Sequence, residues 1–175
     1  NKEALIIHGG WEGHQPRETA EHAAALLRTA GFAVTVERDL AVLGDAARLR
    51  RQRLIVPVWT MGESKPEYTA NVCAAVRAGC GLAGWHGGMC DAFRNDTNWQ
   101  FLTGGQWVAH PGGKDVEYQV DISDRCHAIT NGVRDFTLRS EQYYMHIDPA
   151  VTVLATTTFS GAHEGIDWIR GVRMP

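Results

Sequence analysis

Positive charge is not in excess in this sequence: 17 Lys and Arg stand against 20 Asp and Glu, a formal net charge of −3. A chain so balanced lacks the basic footprint of general nucleic-acid binders and anionic-membrane binders. No apolar run approaches the ~20 residues that a membrane-spanning helix needs. Asn1, Lys2, Glu3 and Ala4 open the chain without a signal-peptide pattern, although numbering that starts without an initiator Met leaves room for a cleaved one. Cysteine is scarce, and Cys73, Cys80, Cys90 and Cys126 form no C-x-x-C pair. Their spacing fits neither a zinc ribbon nor a small disulfide framework, so reduced thiols in a cytoplasmic compartment are expected. Internal repeats, low-complexity tracts and linkers are missing too, which points to a single domain over residues 1–175. At this length a chain buries about 70% of the surface its unfolded form exposes, so its core needs no disulfide or metal staple.

What is present is an alternation of short apolar runs with longer amphipathic stretches, the pattern of βα units around a parallel sheet. Ala4–His8 reads as a buried strand running into Gly9 and Gly10. A helix follows, opened by Pro16 and stopped by Gly31, with Ala20, Ala23, Ala24 and Leu27 at helical spacing. Phe32–Val36 is a second strand and Asp39–Arg50 a short connecting helix. Leu54–Trp59 is a third strand, made irregular or edge-like by Pro57. Glu67–Ala78 reads as a helix, and Gly81–Trp85 as a strand that leads straight into a helix start at Met89–Phe93. Beyond Asn95 the pattern loosens. Val116–Ile122 alternates like a half-buried strand, and Thr152–Thr157 is the last clear one.

In an open parallel sheet, ligands bind beyond the carboxyl ends of the strands. There the first strand delivers His8, then Trp11, Glu12 and His14; the third delivers Trp59 and Thr60; the fourth delivers Trp85 and His86. Gly9-Gly10-x-x-Gly13 is a poor match to a dinucleotide turn, because its Trp and Glu would crowd and repel a phosphate. Gly84-Trp85-His86-Gly87-Gly88 is the sharper feature, with small residues two positions either side of its centre, as a strained strand-to-helix elbow requires. A central His86 suits a general base, a metal ligand or a hydrogen-bond donor; filling a strand end is the bland alternative. Cys90 reads as a buried structural thiol before a nucleophile, since Asp91 beside it supplies a repelling charge. Asp91 and Asp96 could equally cap helix starts.

A second cluster runs from Ser140 to Asp148, where alternation places Glu141, Tyr143 and Met145 on one face and Gln142, Tyr144 and His146 on the other. A carboxylate beside phenols suits a polyhydroxylated ligand, while a polar edge strand is the competing reading. His110, Glu117 and Asp121 are scattered candidates. Eight histidines raise the question of a metal, but no H-x-x-x-H pair on a helix and no H-E-x-x-H occurs. A divalent ion such as zinc would need His8, His14, His86 and Glu141 brought together by the fold.

These residues are similar to those of a known family. Gly84 through Phe93 resembles the elbow of the ThuA-like (trehalose utilisation) proteins, and Ser140–His146 with Val153–Thr156 resembles their downstream motif. Ile6–Gly10 and Arg125–Gly132 fit as well, so the likeness spans nearly the whole chain. The resemblance implies a flavodoxin-like three-layer α/β/α sandwich with a mainly parallel sheet, the fold of class I glutamine amidotransferases. Those enzymes carry cysteine where His86 stands here, and imidazole cannot readily replace a thiolate in forming a thioester, so a cysteine-dependent glutaminase is not expected. The resemblance implies a role in carbohydrate catabolism and a pocket of His8, Trp59, His86, Glu141, Tyr143 and His146. The family runs on past a Met-Pro like Met174-Pro175 into a further strand and a Gly-His motif, so a truncated chain is the simpler reading.

Three functions are therefore expected in order. The first is an enzyme acting on a sugar or keto-sugar, with His86 as acid/base and Glu141 as its partner or as a binder of hydroxyls. The second is a non-catalytic sugar-binding or regulatory domain, and the third a metal-dependent hydrolase. Trp11, Trp59, Trp85 and Trp99 are natural stacking platforms for sugar rings. The expected partner is a small sugar, with no nucleic acid and no membrane; Asn98–Trp107 reads as a lid or a contact in a homo-oligomer.

Overall fold

The computed structural model describes residues 2–160 and 169–175. The chain forms two compact units, Asn1–Thr103 and Gly104–Pro175. In the first unit the elements are β1 (Glu3–Gly10), α1 (Pro16–Thr29), β2 (Ala33–Glu37), α2 (Ala46–Arg51), β3 (Leu54–Thr60), α3 (Pro66–Arg77), β4 (Gly81–Leu82), α4 (Gly87–Cys90) and α5 (Thr97–Thr103). Its four strands pair in parallel in the order β2-β1-β3-β4.

The apolar runs of β1 and β3 are continuous because both faces of this sheet are covered. Successive side chains point to opposite faces. Leu5, Ile7 and Ile55 join Leu43, Leu49, Val72 and Ala75 in one cluster. Ile6, Val56 and Val58 join Ala20, Ala23 and Ala24 of α1 in another. Helices thus lie on both faces, and this unit is a flavodoxin-like α/β/α sandwich. Leu5, Ile6, Leu49 and Ile55 are at most 1% exposed, and each such side chain contributes about 1.5–3 kcal/mol of burial.

Two departures from the sequence pattern have local causes. The stretch expected as one helix over Asp39–Arg50 is a 3-10 turn, Leu40–Gly44, followed by α2. Asp39 accepts from the Ala41 N–H and Asp45 from the Arg48 N–H, each at 2.8 Å, so two caps cut the run in two. The strand expected over Gly81–Trp85 pairs only at Gly81 and Leu82. Its last sheet bond is from the Ala83 N–H to the Ile55 carbonyl at 3.1 Å. Pro57 lies beyond that stretch, where β3 is edge-like, as a proline in a strand requires.

The second unit is antiparallel: β6 (Val116–Ile122), β7 (Phe136–Ser140), β9 (Ala155–Thr158) and β10 (Arg173–Met174) pair in the order β10-β9-β6-β7. β5 (Gly105–Ala109) and β8 (Tyr144–Ile147) form a separate pair. β6 matches the expected strand residue for residue. The expected alternation from Glu141 does not hold, because β8 begins only at Tyr144. Gln142 is instead buried and donates to Thr157 Oγ1 at 2.6 Å and to the Thr158 carbonyl at 3.2 Å.

Asp135 ties β6 to the turn that follows it. Its Oδ1 accepts from the Ile122 N–H at 2.8 Å, and Arg125 donates to both oxygens at 2.7 and 2.8 Å. The backbone donor, with the guanidinium behind it, holds this carboxyl below the usual carboxylate range. A depressed folded value stabilises the fold above the unfolded pKa, and the gain fades as pH falls through the folded one. The urea midpoint of Asp135→Asn is therefore expected to lie below that of the wild type at neutral pH, with the gap closing once the pH drops below about 4. A gap that stays constant down to acid would show that the charge of Asp135 contributes nothing.

Among the described residues, no helix is long and apolar enough to cross a membrane.

Candidate functional site

The elbow expected at Gly84–Gly88 is formed. His86 sits at φ 54°, ψ −149°, a backbone region that residues with a Cβ reach only at about 1–3 kcal/mol of strain. The glycines around it leave no space for a side chain. A Cβ on Gly84 would stand 2.8 Å from Met89 Cβ, one on Gly87 2.9 Å from His14 Cε1, and one on Gly88 3.1 Å from Val58 Cα. Gln15, Met61, His86 and Phe93 are the non-glycine residues with positive φ among those described. All four lie past the carboxyl ends of β1, β3 and β4, so the backbone strain gathers at one edge of the parallel sheet.

That edge holds the switch point of the 2-1-3-4 strand order, between β1 and β3, where folds of this class bind ligands. A 3-10 turn, Glu12–His14, follows β1 and delivers His14. His14 Nδ1 lies 2.8 Å from the hydroxyl oxygen of Thr60, the last residue of β3. Its ring meets His86 edge to face, with centroids 4.7 Å apart at 76°, and meets Trp11 likewise at 4.7 Å and 75°. His14, Thr60, Val58, Trp85, His86 and Gly88 line a cavity of about 290 Å³. His14 thus belongs to the site more closely than its sequence setting indicates. The only sequence signal for it is its place in the loop after the first strand.

The other expected residues of this unit fall in three groups. Trp11 and Trp85 are 49% and 45% exposed. His8 is half-buried near the end of β1, in register with Val58. Trp59 packs against the first core cluster, its ring so close to Gly9 that a Cβ there would stand 2.5 Å away; its Nε1 is buried without a hydrogen-bond partner among the described residues. Trp99 is no stacking platform: it is 3% exposed, sits 5.0 Å from the Phe93 ring and donates Nε1–H to the Met89 carbonyl at 3.0 Å. Burial, with the Asp91 charge adding to it, pushes the Cys90 thiol up, which suits a structural thiol. Asp91 is buried against the Arg94 guanidinium, and Asp96 caps α5 while accepting from the Thr69 hydroxyl at 2.6 Å.

In the second unit Glu141 lies between β7 and β8, with its side chain 16% exposed and 3.9 Å from His110 Nε2. Its carbonyl accepts from the Tyr118 hydroxyl at 3.0 Å; burial, and then the Glu141 charge, push that phenol up. The Tyr143 ring stacks on His110 at 6.3 Å and meets Trp107 edge-on at 6.2 Å. Glu141, Tyr143, His110 and Trp107 therefore form one cluster, which raises His110 above a scattered candidate. His146 is exposed on β8, opposite Gln106 and edge-on to Tyr144. Glu117 and Asp121 pair with Arg139 and Arg173.

Residues 3–175 match the family described as "Trehalose utilisation", ThuA. The chain belongs to the ThuA family. Among solved structures it is similar to two proteins described as thua-like. The one from Bacteroides uniformis has a TM-score of 0.72 at 16% identity, over 92% of this chain and 69% of that one. The one from Parabacteroides merdae has a TM-score of 0.69 at 17% identity, over 89% of this chain and 68% of that one. At such identities the likeness to these ThuA-like structures concerns the fold. Comparison with curated proteins gives no match.

Proposed function

We propose that this ThuA-family protein is an enzyme of carbohydrate catabolism that acts on a sugar or keto-sugar, with His86 as its acid/base group. The observation that carries the reading is the backbone of His86. A histidine kept in a conformation suited to glycine, at a sheet edge that four strained residues share, is maintained against a cost in stability. The elbow directs its imidazole to a cavity of about 290 Å³, and the exposed rings of Trp11 and Trp85 suit the apolar face of a sugar. The family's description, "Trehalose utilisation", supports a sugar as the substrate class. In the second unit, Glu141 with Tyr143 and His110 is a set suited to hydroxyl groups, and we assign it to ligand binding. Free Cys73, Cys80, Cys90 and Cys126 suit a reducing, cytoplasmic setting.

The test is mass-spectrometric product analysis of the protein incubated with trehalose, glucose and their 3-keto derivatives. A new product mass that accumulates with time and protein concentration is the expected result. Saturable sugar binding with every substrate mass unchanged would replace the enzyme with a sugar-binding domain.

A further inference from the structure

We propose that His14 and His86 together bind a divalent cation of the zinc class at the elbow. The inference goes beyond the sugar reading and does not rest on it, because the ion is measured with no sugar present. The two imidazoles offer ring nitrogens within 4.8 Å of each other. Two nitrogens on one tetrahedral zinc, each at about 2.0–2.1 Å, stand about 3.4 Å apart. A modest side-chain rotation of exposed His86 closes that difference.

His14 is held as metal-binding histidines are held. One ring nitrogen engages an oxygen of the surrounding protein and fixes the ring's orientation, which leaves the other to coordinate. Here Nδ1 lies 2.8 Å from the hydroxyl oxygen of Thr60, a residue only 3% exposed, so Nε2 is the coordinating atom. Gly87 leaves room for the seated ring, since a Cβ there would stand 2.9 Å from His14 Cε1. Imidazole nitrogens select zinc, copper, nickel or ferrous iron over magnesium and calcium, which prefer oxygen. Two such donors in an open cavity leave the remaining coordination positions to water.

Zinc titration by calorimetry, on the full chain after treatment with a chelator, tests this. One equivalent is expected to bind, with affinity reduced at least about tenfold in His14→Ala and in His86→Ala. Thr60→Val, which removes only the oxygen behind His14, is expected to weaken binding about 10- to 100-fold. His22→Ala, on α1, should bind as the wild type does. Ring proton–nitrogen spectra of the wild type supply a readout that needs no variant to fold: zinc should move the signals of His14 and His86 and leave the other histidines in place. Absence of binding at millimolar zinc, shifts confined to other histidines, or unchanged affinity in His14→Ala would each overturn the proposal. Sugar turnover by the chelator-treated protein bears on the acid/base reading alone, so the two can fail separately.

Discussion

His86→Gly is expected to reduce sugar turnover by about 10²–10⁴-fold, the usual contribution of one acid/base group, and to relieve backbone strain without a matching loss of stability. The two effects have one origin. At φ 54° and ψ −149°, histidine bears about 1–3 kcal/mol of strain that glycine does not. Glycine forfeits the edge-to-face contact with His14, worth about 0.5–1.5 kcal/mol. Glycine also adds about 0.4–1 kcal/mol of conformational freedom to the unfolded chain, so the opposing terms nearly cancel and the urea midpoint is expected to stay close to that of the wild type. His86→Ala separates the terms, since it loses the imidazole and keeps the strained backbone; it should lose turnover without gaining stability. If His86 only fills the end of a strand, His86→Gly would keep its turnover, and the enzyme reading would lose its central residue.

This site is legible in the sequence in part, and for reasons that differ between residues. The elbow can be read because its steric demand is local: glycines at 84 and 88 flank the centre, and the structure shows each pressed against a neighbour, Met89 and Val58. β1 and β3 can be read because burial on both faces leaves an uninterrupted apolar run. His14 is legible only as one more polar residue on the rim. What distinguishes it is a bond to Thr60, 46 residues away, and no pattern within Trp11-Glu12-Gly13-His14 encodes that bond. The same holds for His110, which meets Tyr143 only through the pairing of β5 with β8. Trp59 and Trp99 cannot be told from Trp11 and Trp85 by sequence, because an indole serves equally as core filler and as sugar platform until tertiary burial divides them. In the connection after β2, side-chain capping by Asp39 and Asp45 overrides a helical pattern that composition alone supports.

The largest loss of stability is expected from Gly10→Ala, about 3 kcal/mol or more. Gly10 ends β1 in register with Thr60, at φ +79°, and a Cβ on it would stand 2.0 Å from the Thr60 carbonyl oxygen and 2.8 Å from its nitrogen. Backbone cannot swing aside as a flexible side chain does, so the ends of β1 and β3 must part. That separation would break the bond from the Trp11 N–H to the Thr60 carbonyl, now 3.1 Å. Left-handed φ adds about 1–2 kcal/mol to the overpacking penalty of about 1–3 kcal/mol. Gly31→Ala isolates the first of these, because Gly31 has φ +83° and a methyl placed there would meet nothing within 4 Å; it should cost about 1–2 kcal/mol. The two urea curves, compared directly, measure the steric part at the switch point. Equal losses would mean that the strand ends do not approach as closely as 2.0 Å implies. Unequal losses would tie the close approach of β1 and β3 to the seating of His14, since Thr60 both receives the pressure of Gly10 and holds that imidazole.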